Sequence, residues 1–441
     1  MNPQRFLRLV SGAMAALGIS AAAIVALNLR GEDPLPSAET LKPTPALVAQ
    51  GEYLTRLGNC MACHTVQGGA PFAGGRGIET PFGVVYSSNL TPDKATGLGA
   101  WTSAEFWRAM HNGRGKDGRL LYPAFPYTSY THVTREDSDA IFAYLQSLPP
   151  VAQANKAHAL RFPYSTQAAL GVWRALFFTP ADAAQPAPPA PQALATAQVP
   201  DYQRGAYLVN GLGHCAACHT PRNSLGAEQQ GQALAGGLIP VQNWLAPALT
   251  DAGQAGVQRW PQADVVALLK TGVAPQASVI GPMAEVVFRS TQYLSDADAR
   301  AMAVYLQALP QHAATPAKQA VAPASVMERG AKVYEAQCAQ CHGAQGQGAK
   351  DEAGQPAFPP LAGNRAVVLA DPTNLVRVVL QGGYLPATAG NPRPHGMPPF
   401  QHLLGDEDVA AVTTFVRNSW GNQAAGVGTI EVYRARERRT P

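Results

Sequence analysis

Six cysteines, all in pairs of one spacing and each pair followed at once by histidine, constrain this 441-residue chain more than any other feature: Cys60-Met61-Ala62-Cys63-His64, Cys215-Ala216-Ala217-Cys218-His219 and Cys338-Ala339-Gln340-Cys341-His342. One helical turn between the two thiols sets them on one side of the backbone with the imidazole beside them. That arrangement suits covalent haem attachment, with two thioether bonds to the porphyrin vinyl groups and a histidine nitrogen on the iron. Zinc needs four ligands in one tetrahedral cluster, whereas these pairs stand more than a hundred residues apart. Redox dithiols or structural disulfides leave the repeated histidine unexplained. The sequence therefore predicts three covalently bound haem c groups, on Cys60, Cys63 and His64, on Cys215, Cys218 and His219, and on Cys338, Cys341 and His342.

Composition narrows the class. With 46% hydrophobic residues, 14% charged and a net charge of +4, the chain buries cores and does not have the makeup of a disordered polymer. Its length is that of about three domains. No basic stripe interleaved with aromatics offers a nucleic-acid surface. No dinucleotide fingerprint and no nucleophile with a base partner stands out, so no catalytic residue is expected. Gly68-Gly69 and Gly343 to Gly348 read as loops over haem edges. His132, His158, His214, His312, His395 and His402 read as surface side chains or neighbours of haem propionates.

Near the N-terminus, Arg5 and Arg8 precede an apolar run of 21 residues, Leu9 to Leu29. A secretory signal has an apolar core of about 7 to 15 residues and a spanning helix about 20, so the length favours a retained anchor with the arginines inside. Small residues at Ala21, Ala22 and Ala23 keep a cleaved signal as the rival reading. Either way the remainder is exported, to the periplasmic side of a bacterial cytoplasmic membrane, where such thioethers are made.

The chain divides into a signal anchor (1–30), a Pro-rich stalk (31–46), a first haem segment (47–180), a linker (181–200), a second segment (201–310), a linker (311–324), a third segment (325–425) and a basic tail (426–441). The tail, with Arg434, Arg436, Arg438 and Arg439, reads as solvated surface. The segments are repeats: Leu90-Thr91, Trp101 and Gly113 recur as Leu249-Thr250, Trp260 and Gly272 at a constant offset of 159. Helical periodicity marks Asp137 to Leu148, Asp296 to Leu309 and Asp406 to Val416, and Thr102 to Asn112, Gln262 to Thr271 and Asp371 to Gln381. Another helix approaches each motif, with Gly51, Gly205 and Gly330 lying 9, 10 and 8 residues before the first Cys. Sustained strand alternation is absent, which predicts an all-α architecture of three tandem domains.

The sixth iron ligand decides what each haem does, and methionine sulfur raises the potential and suits electron transfer. Met283, in Gly281-Pro282-Met283, stands 64 residues after His219; Met397, in His395-Gly396-Met397-Pro398-Pro399, stands 55 after His342. Both are expected on stiff Gly/Pro loops, as distal ligands. Met302 reads as core. The first segment departs from this pattern, because its loop Tyr122-Pro123-Ala124-Phe125-Pro126-Tyr127 puts Phe125 where methionine is expected. Met110, near a helix end that faces the distal side of the haem in cytochrome c-like folds, is the first choice there. His111 and a five-coordinate iron are the competing readings.

The motifs Gly69-Ala70-Pro71-Phe72-Ala73-Gly74-Gly75, Thr80-Pro81-Phe82-Gly83, Asn89-Leu90-Thr91-Pro92-Asp93, Tyr122 to Tyr127, Cys218-His219-Thr220-Pro221-Arg222-Asn223, Gly281 to Val287 and Trp420-Gly421-Asn422 resemble those of a known family. It is the three-haem cytochrome c subunit of membrane-bound periplasmic dehydrogenases that oxidise alcohols, aldehydes or sugar acids in acetic acid bacteria and other proteobacteria. The resemblance covers nearly the whole chain after the anchor. It implies three class I cytochrome c-like domains, distal methionines at Met283 and Met397, and a relay role without a catalytic site of its own. Electrons would pass from a dehydrogenase subunit to ubiquinone or a terminal oxidase. The Ala-Phe-Pro-Tyr variant of the first loop is similar to subunits partnered with molybdenum and iron-sulfur oxidoreductases acting on aldehydes. A stand-alone or oxidase-associated carrier, and a haem enzyme using a five-coordinate first iron, are the alternative classes.

Overall fold

The computed structural model describes residues 3–32, 41–182, 188–311, 322–350, 354 and 356–437. Within the stalk, the two linkers and the tail, the remaining residues, with His312, Arg438 and Arg439 among them, lie outside the described residues. The chain divides into two compact units, one built mainly from residues up to 182 and the other mainly from 188 onward.

The first unit holds helices α1 (Pro3–Asn28), α2 (Pro45–Leu57), α3 (Cys60–Cys63), α4 (Ser103–Asn112), α5 (Tyr127–Tyr130), α6 (Arg135–Ser147) and α7 (Gln167–Phe177). Strands β1 (Gly77–Thr80), β2 (Gly83–Tyr86) and β3 (Ala159–Leu160) form one antiparallel sheet in that order. Gly51 lets α2 cross α6 closely, because a Cβ there would meet the Ala140 carbonyl and lie 2.8 Å from the Tyr144 Cβ. A capping box starts α4: Thr102 accepts from the Glu105 amide and Glu105 accepts from the Thr102 amide. Gly113, at φ 58°, ends it.

The second unit carries the two later cysteine motifs, one in each half. Its first half contains α8 (Val199–Asn210), α9 (Ala216–His219), α10 (Gln262–Thr271), α11 (Pro282–Arg289) and α12 (Asp296–Ala308), with hairpins β4 (Gly237–Ile239)–β5 (Trp244–Ala246) and β6 (Val273–Ala274)–β7 (Ala277–Ser278). Its second half contains α13 (Ala324–Gln337), α14 (Ala339–His342), α15 (Arg365–Val368), α16 (Thr373–Gln381), α17 (Asp406–Arg417) and α18 (Thr429–Glu437), with pairs β8 (Ala349–Lys350)–β9 (Pro356–Phe358) and β10 (Gly383–Tyr384)–β11 (Gly396–Met397). The halves are joined by side chains. Asn374 donates to the Leu245 carbonyl at 2.7 Å and accepts from its amide at 2.9 Å, and the Arg365 guanidinium lies 5.1 Å from the Trp260 ring centre.

Three expectations need correction. The fold is mostly helical but not all-α: the segments carry strands of two to four residues, too short to show alternation in a sequence window. Thr80-Pro81-Phe82-Gly83 makes one of the turns, with Thr80 Oγ1 accepting from the Phe82 amide and donating to the Gly83 carbonyl. The basic tail is docked in part: Arg434 is exposed, as solvated surface would be, but the helix that carries it is held against the fold. Val432 and Ala435 of α18 are 0% and 6% exposed in a core with Val376, Leu380, Val409 and Val427, and Arg436 pairs with Asp406 at 2.8 Å. Two apolar positions one turn apart in an Arg-rich stretch are too few to announce a docked helix. Finally, the linker before the second segment ends inside structure, since α8 begins at Val199.

Among the described residues, α1 alone is long and apolar enough to cross a membrane, over Val10–Asn28 with mean hydropathy 2.1, and of that span only Asn28 is buried and Ile24 partly so.

Candidate haem-binding sites

Each cysteine pair sits on a single helical turn. The amide of the trailing histidine donates to the carbonyl of the first cysteine, His64 to Cys60 at 2.9 Å, His219 to Cys215 at 2.9 Å and His342 to Cys338 at 3.0 Å. The i to i−4 bond closes the turn that brings both sulfurs to one side. None of the six cysteines is joined in a disulfide. Burial, reinforced by the second thiol of the same motif, pushes Cys60 and Cys215 up to about 12 and Cys338 to about 11.

The three histidines are held alike. Nδ1 of His64 lies 2.7 Å from the Ser88 carbonyl, that of His219 2.7 Å from the Pro247 carbonyl and that of His342 3.0 Å from the Pro359 carbonyl. A carbonyl only accepts, so Nδ1 carries the proton and Nε2 presents its lone pair. Burial is the main cause that lowers all three imidazoles below the usual histidine range, which keeps them neutral as ligation requires. Behind each motif a left-handed glycine donates to the histidine carbonyl: Gly74 to His64 at 2.8 Å, Gly236 to His219 at 2.7 Å and Gly348 to His342 at 2.8 Å. Arg76 and Arg222 cap two of the turns by donating to the Ala62 and Ala217 carbonyls.

These residues fit a haem. An oriented imidazole with Nε2 presented beside two cysteine sulfurs on one helical turn is the donor set that covalent attachment uses, and no group of three or more His, Cys, Asp or Glu gathers as a metal cluster among the described residues. The Trp260 indole N–H is buried and has no acceptor among the described residues, which suits a carboxylate supplied by a haem propionate.

The distal candidates fall on regular structure more than on loops, a correction to the loop placement. Met283 is the second residue of α11, partly buried, after Pro282. Gly281, at φ 56°, brings this backbone onto the Trp244 ring, 2.7 Å from where its Cβ would be, and Arg377 covers the same ring at 4.6 Å. Met397 lies on β11 opposite Gly383, partly buried, with Gly382 against its carbonyl. Met110 is 4% exposed on α4. His111 beside it is buried and stacks on Trp107, rings 4.5 Å apart at 18°. Phe125 packs against Tyr130 at 5.4 Å, and the Cys60 and Cys63 thiols join burial in pushing Tyr130 upward. Met302 is 2% exposed in α12, as core. His158, His395 and His402 are at the surface, while His132 and His214 are half-buried.

Sequence reasoning missed the carbonyl partners of the histidines and the arginine caps. The repeat offset of 159 was the available signal, because it carries Ser88 onto Pro247.

The Cytochrome c family model matches this chain three times, over residues 48–149, 202–310 and 327–420. The chain is 39% identical over 407 residues to the cytochrome c subunit of an alcohol dehydrogenase (quinone) from Gluconacetobacter polyoxogenes, covering 89% of this chain and 84% of that one. It is 39% identical over 401 residues to a gluconate 2-dehydrogenase cytochrome c subunit from Pantoea cypripedii, covering 88% of both. It is also 35% identical over 431 residues to a fructose dehydrogenase cytochrome subunit from Gluconobacter japonicus, covering 90% of this chain and 85% of that one. With the histidine geometry above, these matches place the chain in the cytochrome c family, as an electron-transfer protein with covalently bound haem c.

Proposed function

We propose that this chain is the three-haem relay subunit of a periplasmic dehydrogenase complex. It would take electrons from a catalytic partner that oxidises an alcohol, aldehyde or sugar acid and pass them to ubiquinone or a terminal oxidase, with α1 holding it to the membrane. The observation that carries the count of three is the repeated Nδ1-to-carbonyl bond at His64, His219 and His342, since each leaves one Nε2 free for an iron. Cys60 and Cys63, Cys215 and Cys218, and Cys338 and Cys341 supply the thioethers. Met283, Met397 and Met110 supply the sixth ligands; Met110 is preferred to His111 because the latter is engaged with Trp107. The bound group supplies reversible one-electron exchange at iron. The chain itself fixes the tautomer of each proximal histidine, excludes water with the buried faces of α4, α10 and α16, and holds each thioether on a stiff backbone. The relatives named for alcohol, gluconate and fructose dehydrogenases support a dehydrogenase partner.

The intact mass of the purified chain is expected to exceed that of the polypeptide by three haems. Substrate should reduce those haems only when a co-purifying dehydrogenase is present. A mass showing two haems, or direct reduction by substrate without a partner, overturns the reading.

A further inference from the structure

Helix α7 has two apolar faces where a surface helix ordinarily has one. Leu170, Gly171, Arg174 and the following Phe178 are buried. On the other side Val172 and Leu176 are 42% and 61% exposed, and Phe162, on the turn leading into the helix, is 83% exposed. From Ala159 to Ala181 there is no Asp, Glu or Lys, and Arg161 and Arg174 are the only charges. At the far end of the helix Arg30 donates to the Phe178 carbonyl at 3.1 Å and to Thr179 Oγ1 at 3.0 Å. An exposed apolar stripe flanked by arginines and free of acidic residues has the chemistry of a helix lying in a lipid headgroup boundary.

What covers the stripe follows from where α7 is tied. The apolar span Val10–Asn28 has 19 residues, which at 1.5 Å per residue is about 28 Å, the thickness of a bilayer hydrocarbon core. Asn28 therefore marks the exit of that span. Its Nδ2 donates to the Gly171 carbonyl at 2.9 Å, in the middle of α7, and its Oδ1 accepts from Arg174 Nε at 3.0 Å. Just beyond, Asn112 donates to the Gly31 carbonyl at 2.9 Å and Arg114 pairs with Glu32 at 2.6 Å. A helix pinned at its midpoint to the exit of a membrane span lies at headgroup level.

We infer that α7 is a second membrane contact of this chain. As an interfacial helix it seats Val172, Leu176 and Phe162 at the acyl boundary of the outer leaflet and sets Arg30 and Arg161 toward lipid phosphates. The inference rests on reading α1 as a retained span, and it adds a surface that the anchor alone does not require.

Nitroxide labels on Leu17→Cys, Leu176→Cys and Lys94→Cys test it in the full-length holoprotein, reconstituted in liposomes of phosphatidylethanolamine and phosphatidylglycerol, with haem content matched to the wild type. Leu17 reports the span, and exposed Lys94 is the aqueous reference. The Leu176 label is expected to favour collisions with oxygen over those with a water-soluble nickel chelate several-fold relative to Lys94. A Leu176 label that matches Lys94 while Leu17 is embedded in lipid overturns the inference and leaves the anchor standing. Shielding of Leu176 from both reagents means that protein covers the stripe and also overturns it. A Leu17 label in water removes the span and the inference together.

Discussion

Gly205 of α8 lies directly against Ala301 of α12, so that a Cβ at 205 would run into the Ala301 carbonyl and come within 2.8 Å of the Tyr305 Cβ. Gly51 meets Ala140 and Tyr144 in the same way, and Gly330 meets Ala411 and Phe415. The helix that delivers each cysteine motif is therefore locked, through bare backbone, to α6, α12 or α17. Gly205→Ala and Gly330→Ala are expected to destabilise the holoprotein by about 1–3 kcal/mol each, the cost of overpacking a well-filled contact. Denaturant unfolding checks this, and a loss below about 0.5 kcal/mol, the range of neutral surface changes, would show that the crossing opens freely.

The distal assignments separate by spectrum and potential. Met283→Ala and Met397→Ala should each remove part of the red charge-transfer absorption of thioether-ligated ferric haem and lower one of the midpoint potentials. Met110→Ala should do so for the first haem, whereas His111→Ala should leave that haem low-spin with its potential unchanged. An unaltered low-spin spectrum and potential in Met110→Ala would sink the Met110 assignment.

Much of this was legible in the chain because the cofactor chemistry is local. Cys60 to His64 is one turn of helix, and sequence spacing alone places its thiols and imidazole together. The helices ending at Gly113, Gly272 and Gly382 were legible for a similar reason: their periodicity runs into a left-handed glycine at φ 58°, 77° and 74°. The carbonyls of Ser88, Pro247 and Pro359 were not, because a backbone acceptor has no residue type to betray it. Neither was α7, whose Arg174 sits in an apolar stretch and becomes intelligible only beside Asn28, 146 residues earlier. The short hairpins were missed because two to four residues carry too little periodicity to read, and the docked α18 because only Val432 and Ala435 of its nine residues are buried.

Arg174 is 3% exposed, bonded to Asn28 Oδ1 at 3.0 Å and to the Gly113 carbonyl at 3.3 Å, with its guanidinium 4.8 Å from the Phe178 ring centre. Its planar fork joins the exit of α1 to the end of α4. Arg174→Met keeps the bulk but leaves the buried Asn28 Oδ1 without its donor, while the Gly113 carbonyl keeps the Leu121 amide, at a cost of about 1–3 kcal/mol. Arg174→Lys should not restore the stability, because an ammonium lacks the fork and the stacking face. Limited proteolysis of the membrane-bound protein should then cut near residues 29–32 faster than in the wild type. Equal cutting rates would mean that the α1 exit is held without this arginine.

Acid and base act on the second segment through Glu228. Burial raises its carboxyl above the ordinary 4.5, against the pull of Arg222, 3.9 Å away. In the unfolded chain Glu228 loses its proton near 4.5, whereas the folded chain keeps it to higher pH. Between those values the folded state binds more protons, so its stability falls as pH rises through the window and is level above it. Glu228→Gln removes that slope and should make the protein more stable than the wild type at neutral pH, with the two converging near pH 4. Arg222 still caps the Ala217 carbonyl at 2.7 Å in this variant, so the second haem should be retained. Denaturant midpoints measured from pH 4 to pH 7 decide the matter: parallel curves for the two proteins would mean that the partly buried carboxylate costs nothing, and Arg222 would then have to neutralise it fully across 3.9 Å.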